Sequence, residues 1–383
     1  MLNCVLTGSK KFKKIISLKK FPIFLGVVKK NFKSEFIDLN FWINKDSGTV
    51  QIYPRVPIRK LYFKSHGSGS IGEVWKNHHK LFLDLIFKYL KGNIIEIGGG
   101  HNSISIANKI KNSSDVKIIT FDPNSSLKIK IKNTRIVKNF FSRKELIKNK
   151  IKPRSINLVV HSHLAEHIYD LRSFFLLIHD YLSDDGHHIF SIPNMEAMIK
   201  QGFANTVNFE HPFYLNEILV DKLLYISGFK ILKKKYYKKN HSIFYITRKN
   251  NNKLILNFKK KDSFFKRMYL ENYKDFKNLF KKWRLDIKQL NAKIRNKNYY
   301  IFGAHIFSQM LIKMGLDTKG VKGILDNDPS KNNLYLYGTN IKVFNPNILR
   351  GLKKPIVILR AGQYSKEIRE QIIKKINSNV IFI

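Results

Sequence analysis

Residues 93–107, NIIEIGGGHNSISIA, place three consecutive glycines between a short apolar run and a stretch with the apolar spacing of a helix. A glycine-rich loop between a strand and a helix lets the backbone approach a ligand closely, and the helix N-terminus behind it presents free amides. Such a junction is typical of proteins that bind a nucleotide-like molecule. It therefore predicts an α/β fold and raises the question of which ligand the loop holds.

Strand-like and helix-like patterns alternate after this loop. Strands are expected at 93–97, 116–122, 134–141, 156–162 and 187–194, and helices at 71–91, 103–110, 170–182 and 215–229. The segments KILKKKYYKK and SIFYITRK then predict two strands joined by a short turn at Asn240-His241. Alternation of this kind predicts a parallel sheet covered on both faces. A closing antiparallel hairpin is typical of class I methyltransferases, which use S-adenosylmethionine (SAM).

The loop sequence favours SAM over a dinucleotide. The dinucleotide fingerprint G-x-G-x-x-G requires glycine at Ser103 and is therefore absent. Instead, Glu96, Gly98 and Gly100 form the pattern E-x-G-x-G, whose carboxylate is suited to hold the ammonium group of SAM or to order the loop. Asp122, at the end of the next strand, is placed to accept both ribose hydroxyls. The alternative is a glycine turn with incidental acids.

The fourth strand runs into HSHLAEHI (161–168), at the edge of the sheet that faces the cofactor in this fold. His161 and His163 are expected to project to the same face, with Glu166 and His167 in the following turn. We predict that His163 belongs to the cofactor-binding residues. The same residue types also suit a metal ion, and a histidine that only orders the loop is a further alternative. We expect no metal site.

The stretch NFEHPFYLN (208–216) lies over the sheet edge at which open α/β folds bind substrates. Methyl transfer to carbon requires a base, because carbon has no lone pair ready to attack a sulfonium methyl, and histidine titrates near pH ~6.5. We therefore predict that His211 and Glu210 are catalytic and that Asn208 and Tyr214 lie at the substrate. The alternative is that Glu210 caps the helix or fixes the loop.

Several short segments follow one another in an informative order: EIGGG, HLAEHI, the Glu-His pair before a helix ending in SGF, IFGA, DNDPSK and YGTNIKV. In this order they resemble the SAM-dependent nucleotide-sugar C-methyltransferases, which methylate deoxysugars that carry a 4-keto group. DNDPSKNNLYLYGTNIKV is similar to the family's D-x-x-P-x-K … G-x-x-I-P-V segment. The likeness covers nearly the whole chain and is clearest after residue 60.

The resemblance implies a class I SAM-methyltransferase sheet flanked by two further units. The expected parts are a small N-terminal lobe (1–70), a SAM domain (71–250), an amphipathic helical linker (251–297) and a second Rossmann-like domain (298–383). The nucleotide is expected between the SAM domain and the C-terminal domain. The linker's basic helix, 262–296, is expected to pack on its neighbours, with a membrane-surface helix as the alternative.

The resemblance also implies roles for individual residues. His211 would be the base and Glu210 its partner at the sugar. Tyr62 would contact the substrate, and Lys331 would contact a phosphate of the nucleotide.

Two departures from the family pattern lie on the substrate side and in the N-terminal lobe. The family's lobe usually holds zinc with four cysteines, whereas Cys4 is the one cysteine here and INKDSGTVQIY stands where a second pair is expected. We therefore expect the lobe to lack zinc and to be held by packing. Tyr62 is kept, but His66 and Ser68 stand where aromatic residues are common, and Asn208 replaces a common tyrosine.

Composition excludes several other classes of protein. The net charge is +44, but the lysines are spread along the whole chain, so that nucleic acid is not the expected partner. Attraction of an anionic small substrate is consistent with this charge. One cysteine excludes a disulfide framework. No apolar run reaches the ~18 residues that span a membrane, and no signal-peptide pattern is present, so we expect a cytoplasmic protein.

The sequence thus predicts a SAM-dependent methyltransferase that methylates carbon of a nucleotide-activated keto-deoxysugar for surface glycan biosynthesis. Two alternatives stay open. One is an O- or N-methyltransferase of another metabolite, in which Glu210 and His211 only position the acceptor. The other is a non-catalytic binding protein with the same fold.

Overall fold

The computed structural model describes residues 2–63, 72–98, 101–113, 115–125, 132–250 and 263–383. Within these ranges the chain forms three main sheets, which we call the N-terminal, central and C-terminal sheets. A long helix between the last two sheets packs against the first.

The N-terminal sheet is antiparallel, in the order β1-β3-β4. The elements of this region are β1 (Phe12–Pro22), β2 (Val27–Val28), β3 (Phe36–Asn44), β4 (Val50–Ile52) and the short helix α1 (Ile58–Leu61). Leu39, Phe41 and Ile43 of β3 and Val50 and Ile52 of β4 are buried, which anchors this small sheet in the main core of the chain.

A hydrogen-bond network occupies the part of this region where the resemblance led us to look for zinc. Cys4 Sγ lies 3.2 Å from the hydroxyls of both Ser47 and Thr49. Asn44 Oδ1 accepts hydrogen bonds from the Ser47 amide at 3.0 Å and the Ser47 hydroxyl at 3.1 Å. The sulfur and hydroxyl groups are buried. The lobe is therefore stabilised by small polar side chains as well as by the packing that the sequence predicts.

The central sheet has seven strands in the order β10-β11-β9-β8-β5-β6-β7. Its elements are α2 (Glu73–Ile86), β5 (Asn93–Ile97), α3 (His101–Ile110), β6 (Lys117–Phe121), β7 (Thr134–Val137), α4 (Arg143–Lys148), β8 (Ile156–Ser162), α5 (Leu171–Tyr181), β9 (Leu182–Pro193), α6 (Met195–Gln201), α7 (Glu217–Ile226), β10 (Phe229–Tyr237), α8 (Lys238–His241) and β11 (Ser242–Lys249). β5 to β9 run parallel, and β11 is antiparallel to both of its neighbours. The predicted α/β class with a terminal antiparallel hairpin is confirmed.

One strand of this sheet begins earlier than the sequence pattern predicts. The strand expected at 187–194 starts at Leu182, directly after α5. Ile156 pairs with Leu182 and Leu158 pairs with His187, so the polar residues between Leu182 and His187 bulge opposite a single residue of β8. The turn residues SDDG thus interrupt the register of a strand rather than separate a helix from a strand.

The linker region contains α9 (Ser263–Ile294), a single helix of 32 residues. The residues that it buries lie three or four positions apart, except for the adjacent Leu279 and Phe280, as expected of an amphipathic helix: Phe265, Met268, Asn272, Phe276, Leu279, Phe280, Trp283, Ile287, Leu290 and Ile294. Phe41 of β3 packs on Phe276 with ring centroids 5.5 Å apart, and Trp283 Nε1 donates to Gly202 O at 2.8 Å. The apolar face of α9 is therefore covered by the chain itself. Among the helices that the structure describes, none is both long and apolar enough to cross a bilayer.

The C-terminal sheet is parallel, in the order β15-β13-β12-β16-β17. Its region contains β12 (Tyr299–Phe302), α10 (Ile306–Lys313), β13 (Val321–Leu325), β14 (Tyr335–Leu336), β15 (Val343–Phe344), β16 (Ile356–Leu359), α11 (Ser365–Lys375) and β17 (Ile381–Phe382). This is the Rossmann-like arrangement that the alternation of strands and helices predicts.

The two ends of the chain are joined by a small antiparallel ladder. Tyr335 and Leu336 of β14 pair with Val28 and Val27 of β2. Gln309 of α10 extends the contact, because its amide donates to Phe24 O at 2.9 Å and to Tyr337 O at 3.0 Å. The N-terminal region is thus tied to the C-terminal region as well as to the central sheet.

Two turn glycines offer a test of how the N-terminal sheet docks on α9. Gly48 and Gly8 have nearly the same left-handed backbone, with φ of +75° and +72°. A Cβ at Gly48 would lie 2.4 Å from Tyr269 N of α9, whereas among the described residues no atom lies within 4 Å of a Cβ at Gly8. Gly8→Ala is expected to lower the free energy of unfolding by about 1 kcal/mol, through backbone strain. Gly48→Ala adds a clash worth roughly 1–3 kcal/mol.

Urea unfolding of the two variants and the wild type measures this difference. Equal losses of unfolding free energy in Gly8→Ala and Gly48→Ala would contradict the docking of Gly48 on α9.

Candidate functional site

The first group of predicted site residues lies where β5 and β6 end. The parallel register aligns Glu96 with Thr120 and Ile97 with Phe121, so the two loops that follow start side by side. Gly98 N donates to Phe121 O at 2.8 Å, which ties the beginning of the glycine loop to β6. Asp122 comes directly after β6, half-buried, as the sequence predicts. Gly100, predicted with this group, lies outside the described residues.

Glu96 is completely buried near the end of β5. Burial raises the pKa of its carboxyl to about 8, against the effect of hydrogen bonds from Asn102 and with a smaller contribution from the charge of Asp122. The Ser103 hydroxyl donates to Glu96 Oε2. This contact joins the end of β5 to the first turn of α3, which is the loop-ordering role. A contact of Glu96 with the ammonium group of SAM stays a prediction.

Gly98 is required by the backbone at this position. Its φ of +76° lies in the left-handed region, and a Cβ there would lie 3.2 Å from Leu164 Cδ1 in the loop after β8. A buried acid at the end of one strand, a left-handed glycine after it and a half-buried acid at the end of the next strand fit a SAM molecule lying across the strand ends.

A second group, which we call the Glu210 cluster, consists of Tyr62, His167, Glu210 and His211. Tyr62 Oη lies 2.8 Å from His167 Nδ1 and 3.4 Å from Glu210 Oε2. The His167 and His211 rings are in edge contact, with centroids 4.9 Å apart. Residues from the N-terminal region, the loop after β8 and the loop between α6 and α7 therefore meet at one place.

The two central members of the cluster are both close to neutral. Burial raises the pKa of Glu210 to about 8, only partly offset by the Tyr62 hydrogen bond. Burial also lowers the pKa of His211 below the usual histidine range, although the charge of Glu166 opposes this shift. At neutral pH the site thus contains a protonated carboxyl next to an uncharged imidazole.

Local hydrogen bonds fix the tautomer of His211. Its Nδ1 lies 3.2 Å from Thr206 O, which can only accept, and 3.4 Å from the Asn208 amide nitrogen, which can only donate. We assign the proton to Nδ1 because the contact with Thr206 O is the shorter one. Nε2 then has a free lone pair, as a general base requires. Asn208 holds the loop: its Oδ1 accepts from Glu210 N at 2.8 Å and its amide donates to Asn205 O at 3.0 Å.

Two of the predicted substrate contacts lie elsewhere. Tyr214 is buried against Phe276 of α9, with ring centroids 5.2 Å apart, and its backbone N donates to Val50 O. Lys331 is also buried, and its Nζ lies 3.1 Å from Asp326 Oδ2 in an ion pair of the C-terminal region. The structure does not gather these two side chains with the Glu210 cluster.

The expectation that His161 and His163 project to one face is wrong. β8 ends at Ser162, and His163 has a left-handed backbone with φ of +48°, which breaks the alternation of the strand. His161 packs on Phe190 and has its Nε2 3.0 Å from His188 Nε2. His163 instead contacts Trp75 of α2, and its Nε2 lies 2.7 Å from the Ser242 hydroxyl.

Two residues of the site, His167 and Ser103, are not predicted from the sequence. His167 was visible in HLAEHI but nothing in the sequence connected it to Tyr62, which lies 105 residues away. In the sequence Ser103 only breaks the dinucleotide fingerprint, but a hydroxyl in the first turn of α3 is well placed to reach a carboxyl near the end of β5. Glu166, next to His167 in the chain, is buried. Burial alone would raise the pKa of its carboxyl, but His163, His167 and His211 together lower this pKa to about 2.

Comparison with known proteins supports a specific class of enzyme. Residues 73–234 match the family model of a methyltransferase domain, and residues 242–383 match that of the C-methyltransferase C-terminal domain. The first match spans α2 to β10, and the second begins at β11 and continues to the end of the chain. The chain is a SAM-dependent methyltransferase.

Solved structures with some likeness to the enzyme are also methyltransferases. The SAM-dependent methyltransferase from Mesorhizobium loti is 14% identical, covers 47% of this chain and 100% of its own, and has a TM-score of 0.35. The CurJ carbon methyltransferase is 11% identical, covers 47% of this chain and 56% of its own, and has a TM-score of 0.38. The Burkholderia thailandensis 1,6-didemethyltoxoflavin-N1-methyltransferase is 13% identical, covers 53% of this chain and 96% of its own, and has a TM-score of 0.37. No curated protein matches the sequence. The assignment therefore depends on the two family matches.

The pKa of Glu96 leads to a prediction for SAM binding. SAM carries positive charge, so its binding beside Glu96 favours the ionised carboxylate, and a proton must leave when the apo pKa is about 8. SAM affinity is expected to fall as the pH is lowered from 8.5 to 6.5, approaching about tenfold per pH unit below the pKa. Calorimetry in two buffers of different ionisation enthalpy measures the released proton.

Glu96→Gln is the matched control, because it keeps the size of the side chain and leaves the titration of SAM's own amino group unchanged. Identical pH dependence in wild type and Glu96→Gln would show that Glu96 does not ionise when SAM binds.

Proposed function

We propose that the enzyme transfers the methyl group of SAM to a carbon next to the keto group of a nucleotide-activated deoxysugar, in surface glycan biosynthesis. The observation that supports a carbon acceptor is the presence of an uncharged, half-buried His211 next to a buried, protonated Glu210. The match of 242–383 to the C-methyltransferase C-terminal domain agrees with it. The sugar nucleotide as substrate is supported by the sequence resemblance.

In this proposal His211 is the general base. SAM supplies an electrophilic methyl group, and the acceptor carbon must first become nucleophilic. His211 Nε2 removes the proton from the carbon next to the ketone, while Nδ1–H stays bonded to Thr206 O and holds the ring in place. The resulting imidazolium is stabilised by the buried carboxylate of Glu166, whose charge raises the pKa of His211.

Glu210 is proposed to stabilise the enolate. A carboxyl with a pKa of about 8 is mostly protonated at neutral pH and can donate a hydrogen bond to the keto oxygen as negative charge develops there. Tyr62 and His167 fix the orientation of this carboxyl. After methyl transfer, the products are the C-methylated sugar nucleotide, S-adenosylhomocysteine and one proton, which leaves through His211.

The nucleotide is proposed to lie between the central and C-terminal sheets. A phosphate contact by Lys331 would require this lysine to exchange Asp326 for the ligand, because the two are paired in a buried position. Tyr214 would act indirectly, by holding the loop that contains Glu210 and His211 against α9.

The pH dependence of kcat/KM for the keto sugar tests the two roles at saturating SAM. On the acid side activity should fall below the usual histidine range, as His211 becomes protonated. On the alkaline side it should fall above about pH 8, as Glu210 loses its proton and with it the ability to donate. Glu210→Gln keeps an N–H donor, so this variant is expected to lose the alkaline limb and keep the acid limb.

If Glu210→Gln shows the same alkaline limb as the wild type, the limb belongs to another group and Glu210 is not the donor.

Proton exchange separates carbon methylation from the alternatives. The enzyme is incubated with dTDP-, GDP- and CDP-linked 4-keto sugars in deuterated water, with S-adenosylhomocysteine in place of SAM, and NMR follows loss of the C–H signal next to the ketone. With SAM, mass spectrometry and NMR locate the added methyl group. We expect exchange and a C-methylated product for one nucleotide, and a loss of both by about 10²–10⁴-fold in His211→Asn.

His179→Asn is the matched control, since burial also lowers the pKa of His179, which lies on α5 and bonds Asn250 O. A methyl group on oxygen or nitrogen without exchange would replace the proposal with an O- or N-methyltransferase. Absence of both exchange and methyl transfer for all keto sugars would contradict the proposal that the substrate is a sugar nucleotide.

A further inference from the structure

Three histidines from distant parts of the sequence converge beside α2. His78 lies on α2, His163 in the loop after β8, and His241 at the end of α8. Each offers a ring nitrogen, and these three nitrogens lie within 4.8 Å of one another. His78 and His241 are fully buried, and the His163 side chain is 18% exposed. We call these residues the three-histidine cluster.

Among the described residues, no hydrogen bond explains the burial of His78. Both of its ring nitrogens are inaccessible to solvent, and among the described residues neither has a hydrogen-bond partner. A neutral imidazole always has one N–H donor and one lone pair, and buried polar groups in proteins are almost always satisfied. A phenylalanine would fill the same space among Trp75, Phe82 and Phe244 without this cost. The two unpaired nitrogens therefore point to a ligand.

A chain of hydrogen bonds orients the lone pairs of the other two histidines. Glu166 Oε1 lies 3.4 Å from His163 Nδ1, which places the His163 proton on Nδ1 and the lone pair on Nε2. The Ser242 hydroxyl lies 2.6 Å from His241 Nδ1, from which it can accept, and 2.7 Å from His163 Nε2. Its own proton must turn away from His163 Nε2 before the lone pair of that nitrogen can bind an ion. This arrangement leaves the lone pair of His241 on Nε2, which has no partner among the described residues.

The spacing of the rings matches that of three imidazoles on one tetrahedral ion. With metal–nitrogen bonds of about 2.0–2.1 Å and roughly 1.1 Å more to each ring centre, the ring centres would lie about 5.2 Å apart. The observed centroid distances are 5.2 Å for His78–His163, 5.3 Å for His78–His241 and 5.8 Å for His163–His241. The ring centres thus have nearly the spacing that one ion requires, whereas the nitrogens, which lie within 4.8 Å of one another, would have to approach to about 3.3 Å.

The surroundings of the cluster are those of a metal site with a defined outer shell. Trp75 contacts His78, His163 and His241, with ring centroids 5.2, 4.9 and 4.9 Å away. Tyr237 packs on His78 and on His241. A carboxylate on the far nitrogen of one ligand and an aromatic wall around the others are typical of histidine-bound metals.

We propose that His78, His163 and His241 bind one divalent transition-metal ion, with zinc as the preferred occupant, and that a fourth coordination position is open to water or substrate. Three neutral imidazoles without thiolate or additional carboxylate suit zinc and its neighbours rather than magnesium or calcium. This site is different from a metal site within 161–168, because His161 lies on the other face of the sheet. It is also different from a thiolate site in the N-terminal lobe. The proposal does not depend on the identity of the methyl acceptor.

The ion would add a further link between three segments that are already joined by aromatic contacts and hydrogen bonds. It would link α2, the loop after β8 and the β10–β11 hairpin at the end of the central sheet. Metal binding is therefore expected to stabilise the folded enzyme, because the site exists only when these segments are together.

The test uses the full-length enzyme after treatment with a chelator. Zinc is added in competition with a chromophoric chelator, and cobalt is added in a parallel absorption experiment. We expect one zinc equivalent with a Kd of about 1 μM or tighter, and a tetrahedral or five-coordinate cobalt spectrum without the thiolate-to-cobalt band that Cys4 would produce. Thermal unfolding is expected to shift to higher temperature on zinc addition.

His78→Phe is the first variant, because the ring replaces an imidazole in an aromatic environment, and His241→Gln is the second. Each is expected to weaken zinc binding at least 100-fold and to abolish the zinc-dependent shift in unfolding temperature. His187→Gln, a histidine on β9 outside the cluster, is the matched control and should behave as the wild type.

No zinc binding by the wild type would overturn the proposal, as would binding that survives in both His78→Phe and His241→Gln. The cobalt spectrum needs no variant, so a misfolded variant leaves the proposal testable: a thiolate band, or an octahedral spectrum typical of surface carboxylates, would count against the three-histidine cluster.

Discussion

The parallel pairing of β5 with β6 on one side and β8 on the other determines where the chemistry of this enzyme lies. These ladders are formed by buried isoleucine, leucine and valine side chains, and their register fixes the level at which each strand ends. Glu96 is the second-last residue of β5, and Asp122 and His163 directly follow β6 and β8. Both faces of these strands are buried, so a shift of one residue would exchange the side chains between the two faces and disrupt the packing of each. The geometry of the polar residues is thus a consequence of apolar packing.

Burial keeps Glu96, Glu210 and His211 close to neutral despite the net charge of the chain, whereas Glu166 keeps its charge beside three histidines. Glu96 and Glu210 have raised pKa values because water is excluded from them, and His211 has a lowered one for the same reason. A charge of +44 spread over the sequence therefore says little about the reaction. What matters chemically is the burial of a few groups, and burial depends on how distant segments fold over them.

The sequence predicts the periodic parts of the structure well. The strands 93–97 and 156–162 and the buried face of α9 follow directly from apolar spacing, and the antiparallel end of the central sheet follows from two strand patterns around a short turn. It also brings Tyr62, Glu210 and His211 to one place, through resemblance to a family. The contacts that it does not reveal are those that depend on single backbone angles or on side chains far apart. Two examples are the left-handed backbone that turns His163 away from His161 and the ion pair of Lys331 with Asp326. Neither follows from a periodic pattern in the sequence.

The pairing of β2 with β14 affects how the protein is made. Glu35 N donates to the Tyr337 hydroxyl across 302 residues of sequence. During synthesis at 5–20 residues per second, the N-terminal region waits roughly 15–60 s for the strand that completes it. Until then β2 has an unpaired edge, and the ribosome has already released the central sheet. Assembly of this enzyme is therefore expected to be completed by its C-terminal region. Truncated chains that end before β14 are expected to expose the unpaired backbone of β2, to which chaperones can bind.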